Sequence, residues 1–179
     1  DTVPKLGQLA RRALEEYAPD ARALAAAVGA DDGDLRLMKS VHARVRDKLQ
    51  REPIEDYRID YEDGYGVRPD AEEDGHAAAG AREVARAMRE STLSPFFGIR
   101  VKPLTTELHA RSLRTLDIFI TTLVREAGRL PQGFLLTLPK ITAAEQVVAF
   151  VDVLERLEYR LGLQAGALRF EAMVETPQL

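Results

Sequence analysis

Residues 57–69 read Tyr57-Arg58-Ile59-Asp60-Tyr61-Glu62-Asp63-Gly64-Tyr65-Gly66-Val67-Arg68-Pro69, and the fold turns on how this stretch is parsed. Alternation puts Ile59 and Tyr61 on one face and Asp60 and Glu62 on the other, the two-residue period of a β-strand, with Asp63 directly after. Gly64-Tyr65-Gly66 begins like the phosphate-binding turn of a doubly wound sheet. Pro69 stands where the third glycine belongs, so the dinucleotide fingerprint fails.

The same punctuation repeats toward the C-terminus. Apolar-rich runs at 96–101, 134–138 and 168–174 follow the first run at 57–62, and helical patterns near 70–88, 107–126 and 143–161 separate them. Asp70-Ala71-Glu72-Glu73 and Thr142-Ala143-Ala144-Glu145 both have the form of a cap followed three residues later by Glu, which predicts two capping boxes. Strand centres recur about every 35 to 40 residues, enough for a strand, a crossover helix and two loops. The sheet is therefore expected to be parallel, and with the Rossmann fingerprint gone the expected class is α/β, a (β/α) barrel of TIM type. Upstream, Leu6, Leu9, Ala10, Ala13, Leu14 and Tyr17 repeat at helical spacing until Pro19, a short helix follows to Val28, and Leu35, Met38, Val41, Val45 and Leu49 mark a third. The domain reading is a helical segment at 1–56 and β/α repeats at 57–179. Asp31-Asp32-Gly33-Asp34 lacks the alternating acidic spacing of an EF-hand and reads as a solvated capping turn.

Composition removes many functions. Among 179 residues there is no Cys, which excludes disulfide scaffolds, thiolate metal sites and cysteine nucleophiles and suits a reducing compartment, so a cytoplasmic protein is expected. Lys plus Arg number 25 against 29 Asp plus Glu, a net charge of −4, which disfavours a general nucleic-acid binder while allowing a local basic patch. No run approaches the roughly 18 apolar residues of a membrane span. His42, His76 and His109 have no ligand spacing and read as ordinary histidines. Arg82, Arg86, Arg89, Arg111, Arg114 and Arg125 alternate with glutamates and read as solvated helix faces. The chain starts without Met and stops at Pro177-Gln178-Leu179, from which an extension at both ends is expected.

Charge gathers at every strand exit: Asp60, Glu62 and Asp63 after the first run, Arg100 and Lys102 after the second, Lys140 after the third, Glu171 and Glu175 after the fourth. Charged groups are seldom buried unless paired or bound to something. Two readings follow: a structural ion network, or a hard divalent cation held by carboxylates with the basic residues facing an anionic substrate.

At these residues the sequence resembles the citrate lyase β-subunit and hydroxy-oxo-heptanedioate aldolase family of phosphoenolpyruvate/pyruvate-binding TIM barrels. Asp60-Tyr61-Glu62-Asp63 is similar to its D-L-E-D motif at strand two, and Gly98-Ile99-Arg100-Val101-Lys102 to its arginine-bearing strand three. Leu138-Pro139-Lys140 resembles strand four, and Val174-Glu175-Thr176-Pro177 the E-T motif of strand five. The likeness spans residues 57–179 and is nearest to a less characterised bacterial subgroup with D-x-E-D-G-Y-G. It implies that only strands two to five are present here, behind the N-terminal helices.

The resemblance further implies a carbon-carbon lyase acting on a 2-oxo acid or hydroxyacyl thioester through a metal-stabilised enolate. Glu175 would ligate Mg2+ or Mn2+, with a second carboxylate ligand expected beyond Leu179. Arg100 would bind substrate carboxylate and enolate oxygen, Glu62 and Asp63 would lie beside the metal's water shell as catalytic candidates, and Lys102 and Lys140 would contact substrate. Homo-oligomerisation of the full-length protein is expected. A Schiff-base aldolase using Lys140 or Lys102, a thioester hydrolase, and a non-catalytic barrel relative or partner-binding fragment are the alternatives.

Overall fold

Asp20 and Asp34 show how the N-terminal third folds. Asp20 Oδ1 accepts hydrogen bonds from the amides of Arg22 and Ala23, both at 2.9 Å, and Asp34 Oδ1 accepts from Leu37 N at 2.8 Å, so each carboxylate satisfies orphan donors at a helix start. The computed structural model describes residues 2–30 and 34–177, and the chain divides into two units at residues 55 and 56, one residue from the expected boundary. The first unit holds α1 (Thr2–Tyr17), α2 (Ala21–Ala27) and α3 (Leu35–Arg51). Ala21, Ala25 and Met38 form its small buried core. Asp31, Asp32 and Gly33 of the expected capping turn lie outside the described residues.

The second unit alternates β1 (Asp56–Asp60), α4 (Asp70–Glu90), β2 (Phe96–Arg100), α5 (His109–Ala127), β3 (Phe134–Leu138), α6 (Ala144–Leu161) and β4 (Phe170–Ala172). Its sheet has the order β1-β2-β3-β4 with every pair parallel. Adjacent rows across the sheet make the strand period visible. Ile59, Ile99, Leu136 and Phe170 stand in one row, and Asp60, Arg100, Thr137 and Glu171 in the next.

The apolar row belongs to the core. Phe97, Ile99, Val101, Phe134, Leu136 and Leu138 are buried with Ala77, Ala81 and Val84 of α4, Leu116, Phe119 and Ile120 of α5, and Phe150 and Leu154 of α6. Sequential strand order with right-handed crossovers places successive helices on one face of a sheet, so the polar row lies on the face away from them. Gly98 keeps that face passable: a Cβ there would meet Leu135 O at 2.0 Å and Arg58 Cδ at 3.1 Å. Its absence lets the Arg58 side chain run over β2.

Two expectations about helix starts need correction. Pro69, not Asp70, caps α4, and no side chain bonds its free amides. Glu73 is instead 1% exposed, committed to an ion pair described below. At α6 the acid expected at position 145 is replaced in that role by Gln146, whose Oε1 accepts from Thr142 N at 2.8 Å and Ala143 N at 3.2 Å. Arg111 also departs from the solvated reading, since Nη2 donates to Asp74 at 2.5 Å and ties α5 to α4. Among the described residues the sheet does not close, and no helix is long and apolar enough to cross a membrane.

Candidate functional site

Because all four strands run the same way, their carboxyl ends share one edge of the sheet, and the charged exits meet there. The first exit is organised by Asp60. Its Oδ1 accepts from Glu62 N at 2.9 Å and its Oδ2 from Gly64 N at 2.8 Å, an Asx-type turn that reverses the chain after β1. Any Cβ at Gly64 would sit 2.6 Å from Asp60 Oδ2, which is why glycine follows Asp63.

The same carboxylate grips Arg100. Nε donates to Oδ1 at 2.8 Å and Nη2 to Oδ2 at 2.6 Å, the two-point geometry that fixes a guanidinium plane. Nη1 is left facing Glu62 Oε2 at 3.4 Å. Glu62 is buried, and its Oε2 has no hydrogen-bond partner among the described residues. Its Oε1 accepts from Lys140 Nζ, which also donates to Asp63 Oδ1 at 2.6 Å.

Lys140 takes φ +49°, a left-handed conformation that costs a residue with a Cβ about 1 kcal/mol or more and concentrates at functional sites. Glu175 and Thr176 hold it there. Glu175 Oε1 accepts from Lys140 N at 2.7 Å, and Thr176 Oγ1 donates to Ile141 O. Arg100, Glu62, Asp63, Lys140 and Glu175 are thus brought to one end of the sheet, linked through Lys140.

Lys102 goes elsewhere. It was expected on the substrate face with Arg100, but β2 ends at Arg100 and the pleat no longer dictates direction beyond it. Nζ donates to Tyr61 O and to Glu73 Oε2, both at 2.7 Å, on the α4 side. Thr115 Oγ1 donates to Glu73 Oε1 at 2.6 Å, and the Lys102 carbonyl accepts from Ser112 Oγ at 2.6 Å. The Lys102 ammonium also sits 5.0 Å from the Tyr65 ring centroid, Arg68 lies 4.8 Å from the same ring, and Tyr65 OH meets His76 Nδ1 at 2.7 Å. Sequence reasoning missed Glu73 and Tyr65. Spacing marked Glu73 only as a capping acid and gave Tyr65 no role, because their partners lie on other elements.

Electrostatics follow the contacts. The Arg100 hydrogen bonds hold the Asp60 carboxyl down at about 2, with the turn amides adding to the effect. Asp63, bonded to Lys140, is likewise lowered, and Lys140 is raised by its bonds to Asp63 and Glu62. A carboxyl whose folded pKa is depressed contributes stability above its unfolded value near 4 and loses it as pH falls toward 2. The melting temperature of Asp60→Asn should therefore lie below that of the parent at pH 5 to 7, with the gap closing between pH 4 and 2. A gap independent of pH would exclude the Asp60–Arg100 pair as its source.

A metal finds a partial frame. Among the described residues no three His, Asp or Glu side chains converge in cation-holding geometry. Three carboxylates, Asp60, Glu62 and Asp63, nevertheless face two cations, Arg100 and Lys140, and Glu175 reaches the Lys140 backbone amide. Hard divalent ions are often held by one or two carboxylates with water and substrate filling the shell. Glu62 Oε2, which accepts no hydrogen bond among the described residues and faces Arg100 Nη1 at 3.4 Å, and the Glu175 oxygen not used by Lys140 N are the donor atoms such an ion would draw on.

The family model described as a domain of unknown function, DUF6986, matches residues 1–179, and the chain belongs to that family. No curated protein and no solved structure matches it.

Proposed function

We propose that this DUF6986 protein is a divalent-metal-dependent carbon-carbon lyase of (β/α)-barrel type, acting on a 2-oxo acid or hydroxyacyl thioester. The observation that carries the reading is the surplus of negative charge at the strand exits around an arginine with its plane fixed. Barrel geometry is supported by the polar sheet face opposite the helices, where Arg58 of β1 reaches across β2 to place Nε 3.4 Å from Glu171 Oε1 of β4, as the inward face of a barrel arc whose active site opens at the carboxyl ends would.

Glu175 and Glu62 would hold Mg2+ or Mn2+. Such an ion supplies Lewis-acid polarisation of a substrate carbonyl. Asp60 holds the guanidinium of Arg100 in place, so that Nη1 can donate to the oxygen on which negative charge develops when the carbon-carbon bond breaks. Positive charge fixed at that point stabilises the transition state more than any other single interaction in sites of this kind. Lys140, kept protonated by Asp63 and Glu62, adds a second cation beside the substrate carboxylate. Its raised pKa also counts against Lys140 as a Schiff-base nucleophile, which needs a neutral amine.

A structural reading retains one specific support, since Glu175 already spends an oxygen clasping the Lys140 turn. Calorimetric titration of the full-length protein with MnCl2 separates the two. One site per chain, weakened at least 10-fold in Glu62→Gln, is expected for the lyase. Heat no greater than dilution would leave only the clasp.

A further inference from the structure

Helix α3 carries Arg36, Lys39, Arg44, Arg46, Lys48 and Arg51 against a single Asp47, in a chain whose net charge is −4. Lys39, His42 and Arg46 are spaced three and four residues apart and so share one face of that helix. That face lines a cleft of about 540 Å3 together with Arg22 of α2. The volume lies within the range of small-ligand sites.

The cations of this cleft differ from those at the strand exits. Arg100, Lys102, Arg111 and Lys140 are each ion-paired, whereas among the described residues Arg22, Lys39 and Arg46 form no salt bridge. The carboxylate of Asp20, which also lines the cleft, is occupied by the α2 amides. His42 is half-buried, with Nε2 against Ala18 O at 2.9 Å, which leaves Nδ1 to face a ligand. Among the described residues three long cations face the single carboxylate of Asp20, which is already bonded to the α2 amides, so positive charge is in excess in the cleft. A bound anion removes that excess.

We infer that the α2–α3 cleft, formed by Arg22, Lys39, His42 and Arg46, is a binding site for the phosphoryl group of a small soluble molecule. Two guanidinium groups offer the paired donors that match phosphate oxygens, and Lys39 adds a point charge. The limited volume favours a compact anion. The overall negative charge disfavours a long polyanion or an anionic membrane. The site stands apart from the lyase reading and does not depend on it.

Inorganic pyrophosphate is the probe, titrated into the full-length protein and followed by calorimetry and by amide chemical shifts. The expected result is one site per chain, with shifts confined to α2 and α3, weakening as salt rises. Lys39→Gln with Arg46→Gln should reduce affinity at least 10-fold while the circular dichroism spectrum stays unchanged, because both side chains are exposed. Sulfate binding as tightly as pyrophosphate would overturn the phosphoryl assignment, as would unaltered affinity in the double variant. Preferential binding of a 20-nucleotide RNA, or of vesicles containing phosphatidic acid, through the same residues would overturn the small soluble ligand.

Discussion

Arg100→Ala should lower kcat/KM for cleavage of a 4-hydroxy-2-oxo acid by about 10²- to 10³-fold or more, with the fold retained. Losing one fixed donor to a developing oxyanion costs roughly 3 kcal/mol in comparable sites, and Arg100 is the donor whose plane is set by two hydrogen bonds to Asp60. Retention of the fold follows from what remains. Asp60 keeps its bonds to the amides of Glu62 and Gly64, and Arg100, 23% exposed in its side chain, stands outside the apolar core. Arg100→Lys should recover little, since an ammonium cannot reproduce the two-point grip. Pyruvate release by the full-length parent and variants is the assay, with circular dichroism and melting temperature in parallel. Near-parental turnover in Arg100→Ala would remove this residue from the chemistry.

The second large effect concerns stability. Glu73 is 1% exposed and Lys102 is 8% exposed, and their ion pair joins α4 to the exits of β1 and β2. Removing one partner of such a pair strands the other charge in a poorly solvated place, at about 3–5 kcal/mol. Glu73→Ala should therefore lower the free energy of unfolding in urea by that amount, and Lys102→Ala by less, because Arg111 Nε stays 3.5 Å from Glu73 Oε1. Replacing both by apolar residues of like volume, Glu73→Leu with Lys102→Met, should recover most of the loss, because the two buried charges leave together and Arg111 keeps Asp74. If the double variant is as unstable as the singles, the bond from Lys102 to Tyr61 O is the larger contribution instead.

Several features were legible before any coordinate. The two-residue period of 57–62, 96–101 and 134–138 placed Asp60 and Arg100 opposite Ile59 and Ile99, and hydrogen-bonded neighbours bear this out row by row. Alternation is a local property of the pleated backbone, so sequence carries it directly. Spacing likewise gave away the strand-helix repeat. The reading failed where direction depended on contacts beyond the strand. Lys102 lies two residues past the end of β2, and its ammonium follows Glu73 and Tyr61 O rather than the pleat. Glu73 had the spacing of a capping acid, but Pro69 took the cap and the core took the carboxylate.

By itself, then, the sequence determined the order of strands and helices, the polar face within β1 and β2, and that charge collects near the strand exits, while some strands came out shorter than read, β4 covering only Phe170–Ala172. The first three are consequences of local backbone geometry and of the cost of burying unpaired charge. Only the tertiary structure decided the partners: that Asp60 sets the Arg100 plane, that Lys140 bridges Glu62 and Asp63 from a left-handed turn, and that Lys102 belongs to the packing of α4. Pairing depends on distances between segments about 30 to 80 residues apart, and those distances exist only once the helices have packed against the sheet.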